Sequence, residues 1–133
     1  MRHEKTNPHV FALDGEIQGP AGLRAVRCGS CGKHTQGRVA VCAHCFSQDV
    51  TPVSAGRSGV LIEFSIARVA AGGFEAPYAI GQIRTDDEMT LFAPLIGDPE
   101  GFIPGTRVRF ALVEHPTGKI GFGYVPEGSE VAS

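Results

Sequence analysis

The sequence predicts an all-β chain in which a small metal-stapled module precedes a five-stranded barrel. Three observations carry that expectation. All four cysteines fall in one stretch, residues 28 to 45 (CGSCGKHTQGRVAVCAHC), as two C-x-x-C pairs with ten residues between them. Downstream, five short runs alternate apolar and polar residues, the period of two that marks a strand with one face buried. The 18 glycines and 9 prolines among 133 residues punctuate the chain with turns and leave little room for amphipathic helices.

The cysteine stretch organises the rest. Two thiolates three residues apart in a tight turn can bite one tetrahedral ion, and a ten-residue hairpin returns the chain with a second pair. Cys28, Cys31, Cys42 and Cys45 are therefore the expected ligands of one structural zinc. Gly32 follows Cys31, where a knuckle turn pushes the backbone to positive φ. Glycine does this without steric cost, so the first knuckle is expected to be the better formed. Two disulfides, free thiols and an iron site are the competing readings. No apolar run follows the charged start Met1 to Lys5, which argues for a cytoplasmic chain with reduced thiols. Four sulfurs fill a tetrahedron, so His34 and His44 within the loop read as surface histidines.

Size and charge narrow the function. A chain of this length carries one small domain plus a minor metal module, and no apolar stretch approaches the roughly 20 residues of a membrane helix. The formal net charge is −2; four thiolates on one divalent ion add a further −2, giving about −4 once metallated. That balance disfavours nonspecific nucleic-acid binding, which needs a basic excess. Arg24, Arg27, Lys33 and Arg38 cluster around the cysteines and read as local compensation for the negative metal site.

In chain order, residues 1–22 show no periodicity and are broken by Asn7-Pro8, Asp14-Gly15 and Gly19-Pro20. They read as an extended arm whose Val10, Phe11, Leu13 and Ile17 lie either on its own domain or on a partner. Residues 23–56 form the ribbon, with Leu23 to Arg27 and Arg38 to Val41 as hairpin rails, and with Phe46 to Gly59 as a connector. Residues 57–126 form the barrel. Its first strand should bury Val60, Ile62, Phe64 and Ile66, and Tyr78 to Arg84, Met89 to Leu95, Arg107 to Val113 and Lys119 to Val125 supply the others. Phe64, Phe92, Phe110 and Phe122 are the expected core aromatics. An OB-fold has this size and strand number, although period alone also fits an SH3-like barrel or a partial sandwich. Residues 127–133 are a small polar tail.

Chemistry-bearing constellations are scarce. With every thiol committed to metal, no cysteine nucleophile and no open metal position remain. His3, His9 and His115 are scattered, and Asp86-Asp87-Glu88 reads as a solvated turn. Phe74 and Tyr78 bracket Glu75-Ala76-Pro77 at the opening of a strand, where an exposed aromatic pair beside proline suits a ligand or partner surface.

The order of these parts resembles a family of zinc-ribbon plus OB-fold proteins described as acyl-CoA-associated. The resemblance rests on Leu23-Arg24-Ala25-Val26-Arg27-Cys28, the two cysteine pairs, Ser58-Gly59-Val60, Phe74 with Pro77-Tyr78, and Pro104-Gly105-Thr106-Arg107-Val108. It implies an OB-fold and a noncatalytic accessory subunit that scaffolds a thiolase-like enzyme. Such a partner would be a β-ketoacyl-CoA thiolase, a thiolase of aromatic-acid catabolism such as a benzoylsuccinyl-CoA thiolase, or a thiolase-like aldolase. It also implies an acyl-CoA surface at the shared interface, for which Phe74, Pro77, Tyr78, Arg57, Arg68 and Arg84 are the candidates. The arm departs from the family in lacking the helical pattern many relatives carry before the ribbon. The rival function is a ribbon and OB module for nucleic acid, which needs exposed aromatics and basic residues on the second and third barrel strands. Tyr78, Arg84 and Phe92 are the residues available there.

Overall fold

A computed structural model of the chain describes residues 10–13, 16, 20–68, 77–114 and 118–127. The described residues are all-β apart from one 3₁₀ turn, and they group into two compact units. Among them, no helix is long and apolar enough to cross a membrane.

The first unit is the cysteine ribbon. Its centre is β2 (Gly22–Cys28), flanked on one edge by β1 (Phe11–Ala12) and β3 (His34–Gln36) and on the other by β4 (Val50–Ala55). All pairings are antiparallel, with Phe11 opposite Leu23, Val26 opposite both Thr35 and Pro52, and Cys28 opposite Val50. The arm thus meets its own chain at Phe11 and Ala12, both fully buried; burying a phenylalanine side chain contributes roughly 1.5–3 kcal/mol. Ile17 lies outside the described residues.

Two expectations about this unit are corrected. Arg38 to Val41 is not a rail, because the chain turns there and β3 ends at Gln36. The longer partner of β2 is β4, inside the stretch read as a connector. The small residues Ser54-Ala55-Gly56-Arg57-Ser58-Gly59 made that stretch read as a connector, yet Val50–Ala55 pairs with β2, and an edge strand tolerates Pro52, which lacks an N–H donor. One face of β2 is closed by a cluster of Ala25, Ala55 and Met89, with Val53 against it. Met89 comes from the turn Thr85–Met89, which groups with the ribbon; there the Gly56 N–H donates to Asp87 Oδ2 at 2.9 Å.

The second unit is a closed barrel of β5 (Ser58–Ala67), β6 (Tyr78–Thr85), β7 (Thr90–Leu95), β8 (Arg107–Glu114) and β9 (Ile120–Pro126), joined in the order β5-β6-β7-β9-β8. The parallel contact of β7 with β9, Leu95 opposite Tyr124, completes the wall. Leu61, Ile83, Leu95, Val108 and Tyr124 are fully buried. Gly81 makes room for them: a Cβ there would lie 2.8 Å from Leu61 Cδ1 and 3.0 Å from Leu95 Cδ1. Phe110 and Phe122 are core residues as expected, their rings stacked with centroids 5.5 Å apart.

β5 corrects the expected face. Leu61 points into the barrel and Ile62 is 47% exposed, while Phe64 is half-buried with its ring edge-on to Phe102 at 6.3 Å. The long first strand offers apolar residues at both parities, and the strands it pairs with decide which one faces inward. Phe92 is the clearest miss, 71% exposed opposite Gln82 on the outer wall.

Candidate metal centre

The two C-x-x-C pairs form two turns of the same construction. In the first, the N–H of Gly32 donates to the Cys28 carbonyl at 3.0 Å and the N–H of Cys28 to the Lys33 carbonyl at 3.0 Å. In the second, Phe46 donates to the Cys42 carbonyl at 3.0 Å and Cys42 to the Ser47 carbonyl at 2.9 Å. The second knuckle is therefore as well formed as the first, contrary to the sequence reading, because Phe46 adopts the positive φ that Gly32 adopts freely.

These turns bring four sulfurs together within 4.8 Å of one another. Cys28 Sγ lies 3.5 Å from Cys45 Sγ, and Cys31 Sγ lies 3.6 Å from Cys42 Sγ. Those distances exclude disulfides, whose sulfurs are about 2.05 Å apart, and all four cysteines are free. Cys28 and Cys42 are buried, Cys31 and Cys45 exposed. The cluster can hold a metal ion.

Backbone donors polarise the sulfurs unequally. The N–H of Cys31, at 3.4 Å, lowers the Cys28 thiol to about 6 against burial, which raises it, and the Ser30 N–H at 3.3 Å adds to the lowering. Cys42 is lowered by the N–H of Cys45, again against burial, with the His44 N–H at 3.3 Å assisting. For Cys45 the Ser47 N–H pulls down, but the Cys28 sulfur, burial and the other two cysteines push it up to about 12. Without a cation, charge on Cys28 and Cys42 suppresses ionisation of Cys45; a divalent ion removes that conflict.

The surrounding polar contacts were not legible in the sequence. Ser30 and Ser47 bridge the two knuckles hydroxyl to hydroxyl at 3.1 Å, and Thr35 Oγ1 accepts the Ala43 N–H at 3.2 Å. His44 Nε2 lies 3.3 Å from the His34 carbonyl oxygen, and neither ring belongs to the cysteine cluster. A Cβ at Gly29 would meet the Asp49 carboxylate, which would have to move aside.

The other candidates stand apart. Arg57 donates to the Ala21 carbonyl inside the ribbon unit. Arg68 is exposed just beyond β5. Pro77 is exposed and Tyr78 half-buried where β6 begins. Arg84 donates to Thr90 Oγ1 at 3.2 Å, six residues further along the strand and so roughly 20 Å from Tyr78. Phe74 lies outside the described residues. A cleft of about 260 Å³ on the outer barrel wall is lined by Glu63, Phe64, Ser65, Ile80, Gln82 and Phe92.

Comparison with known proteins agrees with this architecture. Residues 52–113 match the family model of the ChsH2 C-terminal OB-fold domain. The chain is 30% identical over 95 residues to the benzoylsuccinyl-CoA thiolase subunit BbsA of Thauera aromatica, a match covering 71% of this chain and 66% of that protein. It is 25% identical over 90 residues to the subunit of the same name from Geobacter metallireducens, covering 68% and 61%. The chain thus spans just under two thirds of the length of these relatives. Among solved structures, the Ltp2-ChsH2(DUF35) aldolase matches with a TM-score of 0.65 at 23% identity, over 79% of this chain and 84% of that one. Residues 52–113 thus resemble the ChsH2 C-terminal OB-fold domain, and the chain is similar over about 70% of its length to the thiolase subunits named BbsA.

Proposed function

We propose that this chain is a noncatalytic accessory subunit of a thiolase-like acyl-CoA enzyme, with one structural zinc in its ribbon. The observation that carries the reading is its similarity to two thiolase subunits of the same name along about 70% of its length. The chemistry is consistent with that role. Thiolytic cleavage needs an activated thiol to carry the acyl group and a base to move protons, and here all four thiols converge on one cluster. A partner subunit supplies both groups.

Zinc is favoured by the donor set and the sulfur spacing. Zinc–thiolate bonds of about 2.3 Å place the sulfurs of a tetrahedron about 3.8 Å apart, close to the 3.5 and 3.6 Å between the paired sulfurs here. With four protein ligands such a site has no open position for water, so its role is to hold the ribbon. On this reading the partner and acyl-CoA surface draws on Phe74, Pro77, Tyr78, Arg68 and Arg84, whose guanidinium groups suit phosphate, while Arg57 serves the ribbon.

The test is co-expression with a thiolase-like subunit from the same genome, followed by native mass measurement and an acyl-CoA cleavage assay. A stable hetero-oligomer, with activity absent from this chain alone, is expected. Turnover by this chain alone, or failure to associate with any acyl-CoA enzyme, overturns the reading.

A further inference from the structure

We propose that the four-cysteine cluster is also a peroxide-responsive redox switch, in which Cys28 joins Cys45 and Cys31 joins Cys42 as disulfides that staple the two knuckles together as the metal is lost. The pairing follows from where the sulfurs lie. Cys28 Sγ approaches Cys45 Sγ to 3.5 Å and Cys31 Sγ approaches Cys42 Sγ to 3.6 Å, and both contacts run between knuckles. Backbone donors fix the first sulfur of each turn. The N–H groups of Ser30 and Cys31 donate to Cys28 Sγ at 3.3 and 3.4 Å, and that of His44 donates to Cys42 Sγ at 3.3 Å. The Ser30 and Ser47 hydroxyls, 3.1 Å apart, hold the two turns side by side. Closing either contact to the roughly 2.05 Å of a disulfide needs an approach of about 1.5 Å, within reach of side-chain rotation.

Exposure supplies the other half of the device. Cys31 and Cys45 are exposed, whereas Cys28 and Cys42 are 1% and 0% exposed. Each contact therefore joins a sulfur that an oxidant can reach to one that it cannot. The exposed thiolate attacks hydrogen peroxide: an S–O bond forms, the O–O bond breaks, hydroxide leaves, and the sulfur gives up two electrons to become a sulfenic acid. The buried thiolate across the contact then attacks that sulfur, the S–S bond forms and a second hydroxide leaves. The neighbouring thiolate intercepts the sulfenic acid before it reaches the irreversible sulfinic stage. Two peroxides thus accept four electrons from four thiolates and give two disulfides and four hydroxides. Disulfide sulfurs have lost the thiolate charge that binds a metal ion, so zinc is released. The new bonds span 17 and 11 residues, and the chain stays folded back on itself. A dithiol reductant then restores a site already arranged to rebind the metal. Bonds within each C-x-x-C pair would instead leave the two turns unconnected. The inference rests on the zinc of the proposed function only for the release step; the pairing rests on the sulfur positions.

The experiment treats the full reduced chain, its zinc content first measured, with submillimolar hydrogen peroxide and follows zinc with a chromophoric dye and disulfides by peptide mass mapping. Trypsin separates residues 28–33, with Cys28 and Cys31, from residues 39–57, with Cys42 and Cys45. Bonds between knuckles leave these two peptides joined, and bonds within knuckles leave them separate. Partial reduction with stepwise alkylation assigns the partners. The joined peptide with Cys28–Cys45 and Cys31–Cys42 pairing is expected, with zinc falling from one per chain to none as it forms and returning after dithiothreitol and added zinc. Separate peptides, the Cys28–Cys42 and Cys31–Cys45 pairing, sulfinic acid in place of disulfide, or no reaction with peroxide overturns the proposal, as does zinc retained by the joined form. A chain that carries no zinc before peroxide fails the metal reading instead, and the peptide map still decides the pairing.

Discussion

Gly32 and Phe46 occupy equivalent places in two successive turns, with φ of +78° and +64°, and each donates its N–H to the carbonyl of the first cysteine of its own knuckle at 3.0 Å. Only one is a glycine. The left-handed conformation costs a residue with a Cβ about 1–2 kcal/mol, and Phe46 bears that cost with its ring 76% exposed. Gly32→Ala should therefore weaken metal binding by about 1 kcal/mol, roughly fivefold, although no atom lies within 4 Å of the added Cβ. Phe46→Gly should bind metal as well as the parent or better. Competition with a chromophoric chelator measures both.

Metal content is the direct test of the cluster. One zinc per chain is expected by elemental analysis, and Cys42→Ser should abolish stoichiometric binding. Because the ribbon buries few large side chains, metal binding supplies much of its folding free energy. In that variant the amide signals of β2 to β4 should collapse while those of β8 and β9 persist.

Acid should release the metal, and the sign follows from the thiol shifts. Cys28 is lowered from 9.0 to about 6 in the folded ribbon, so its thiolate contributes stability that is complete above pH 9 and is lost as pH falls through 6. The ribbon should keep its metal at pH 7 and release it as the pH drops below about 6. A dye-detected metal-release titration checks this. Release already complete at pH 7 would contradict the donor geometry at Cys28.

The barrel has its own weak points. At Gly123 an added Cβ would lie 2.7 Å from Ile96 Cγ1 and 2.9 Å from the Pro94 carbonyl oxygen, and the backbone atom has little freedom to withdraw. Gly123→Ala should destabilise the barrel by about 1–3 kcal/mol. Gly81→Ala should cost less, because the atoms it meets belong to the Leu61 and Leu95 side chains. Denaturant melts of the two variants give the comparison.

Phe92 is exposed beside Gln82 and in a cleft that includes Glu63, so it offers a ring for stacking without a basic neighbour in that cleft. Labelled single-stranded oligonucleotides should show no salt-dependent binding at physiological ionic strength. Submicromolar affinity with a steep salt slope would revive the nucleic-acid reading.

Local rules made much of this protein legible before its fold was known. The metal cluster follows from spacing, because a C-x-x-C turn is closed by hydrogen bonds within about five residues, and ten intervening residues suffice to return the second pair. The barrel strands were equally visible, since alternation and turn residues are properties of short segments; Arg107 to Val113 was expected and Arg107–Glu114 is the strand. Tertiary pairing decided the rest. β5 has apolar residues at both parities, and only its neighbours in the closed wall make Leu61 the buried one and leave Ile62 outside. Val50–Ala55 became a strand because β2 has a free edge that its Pro52 does not obstruct. Such arrangements depend on long-range hydrogen bonds and excluded volume, and a window of neighbouring residues contains neither.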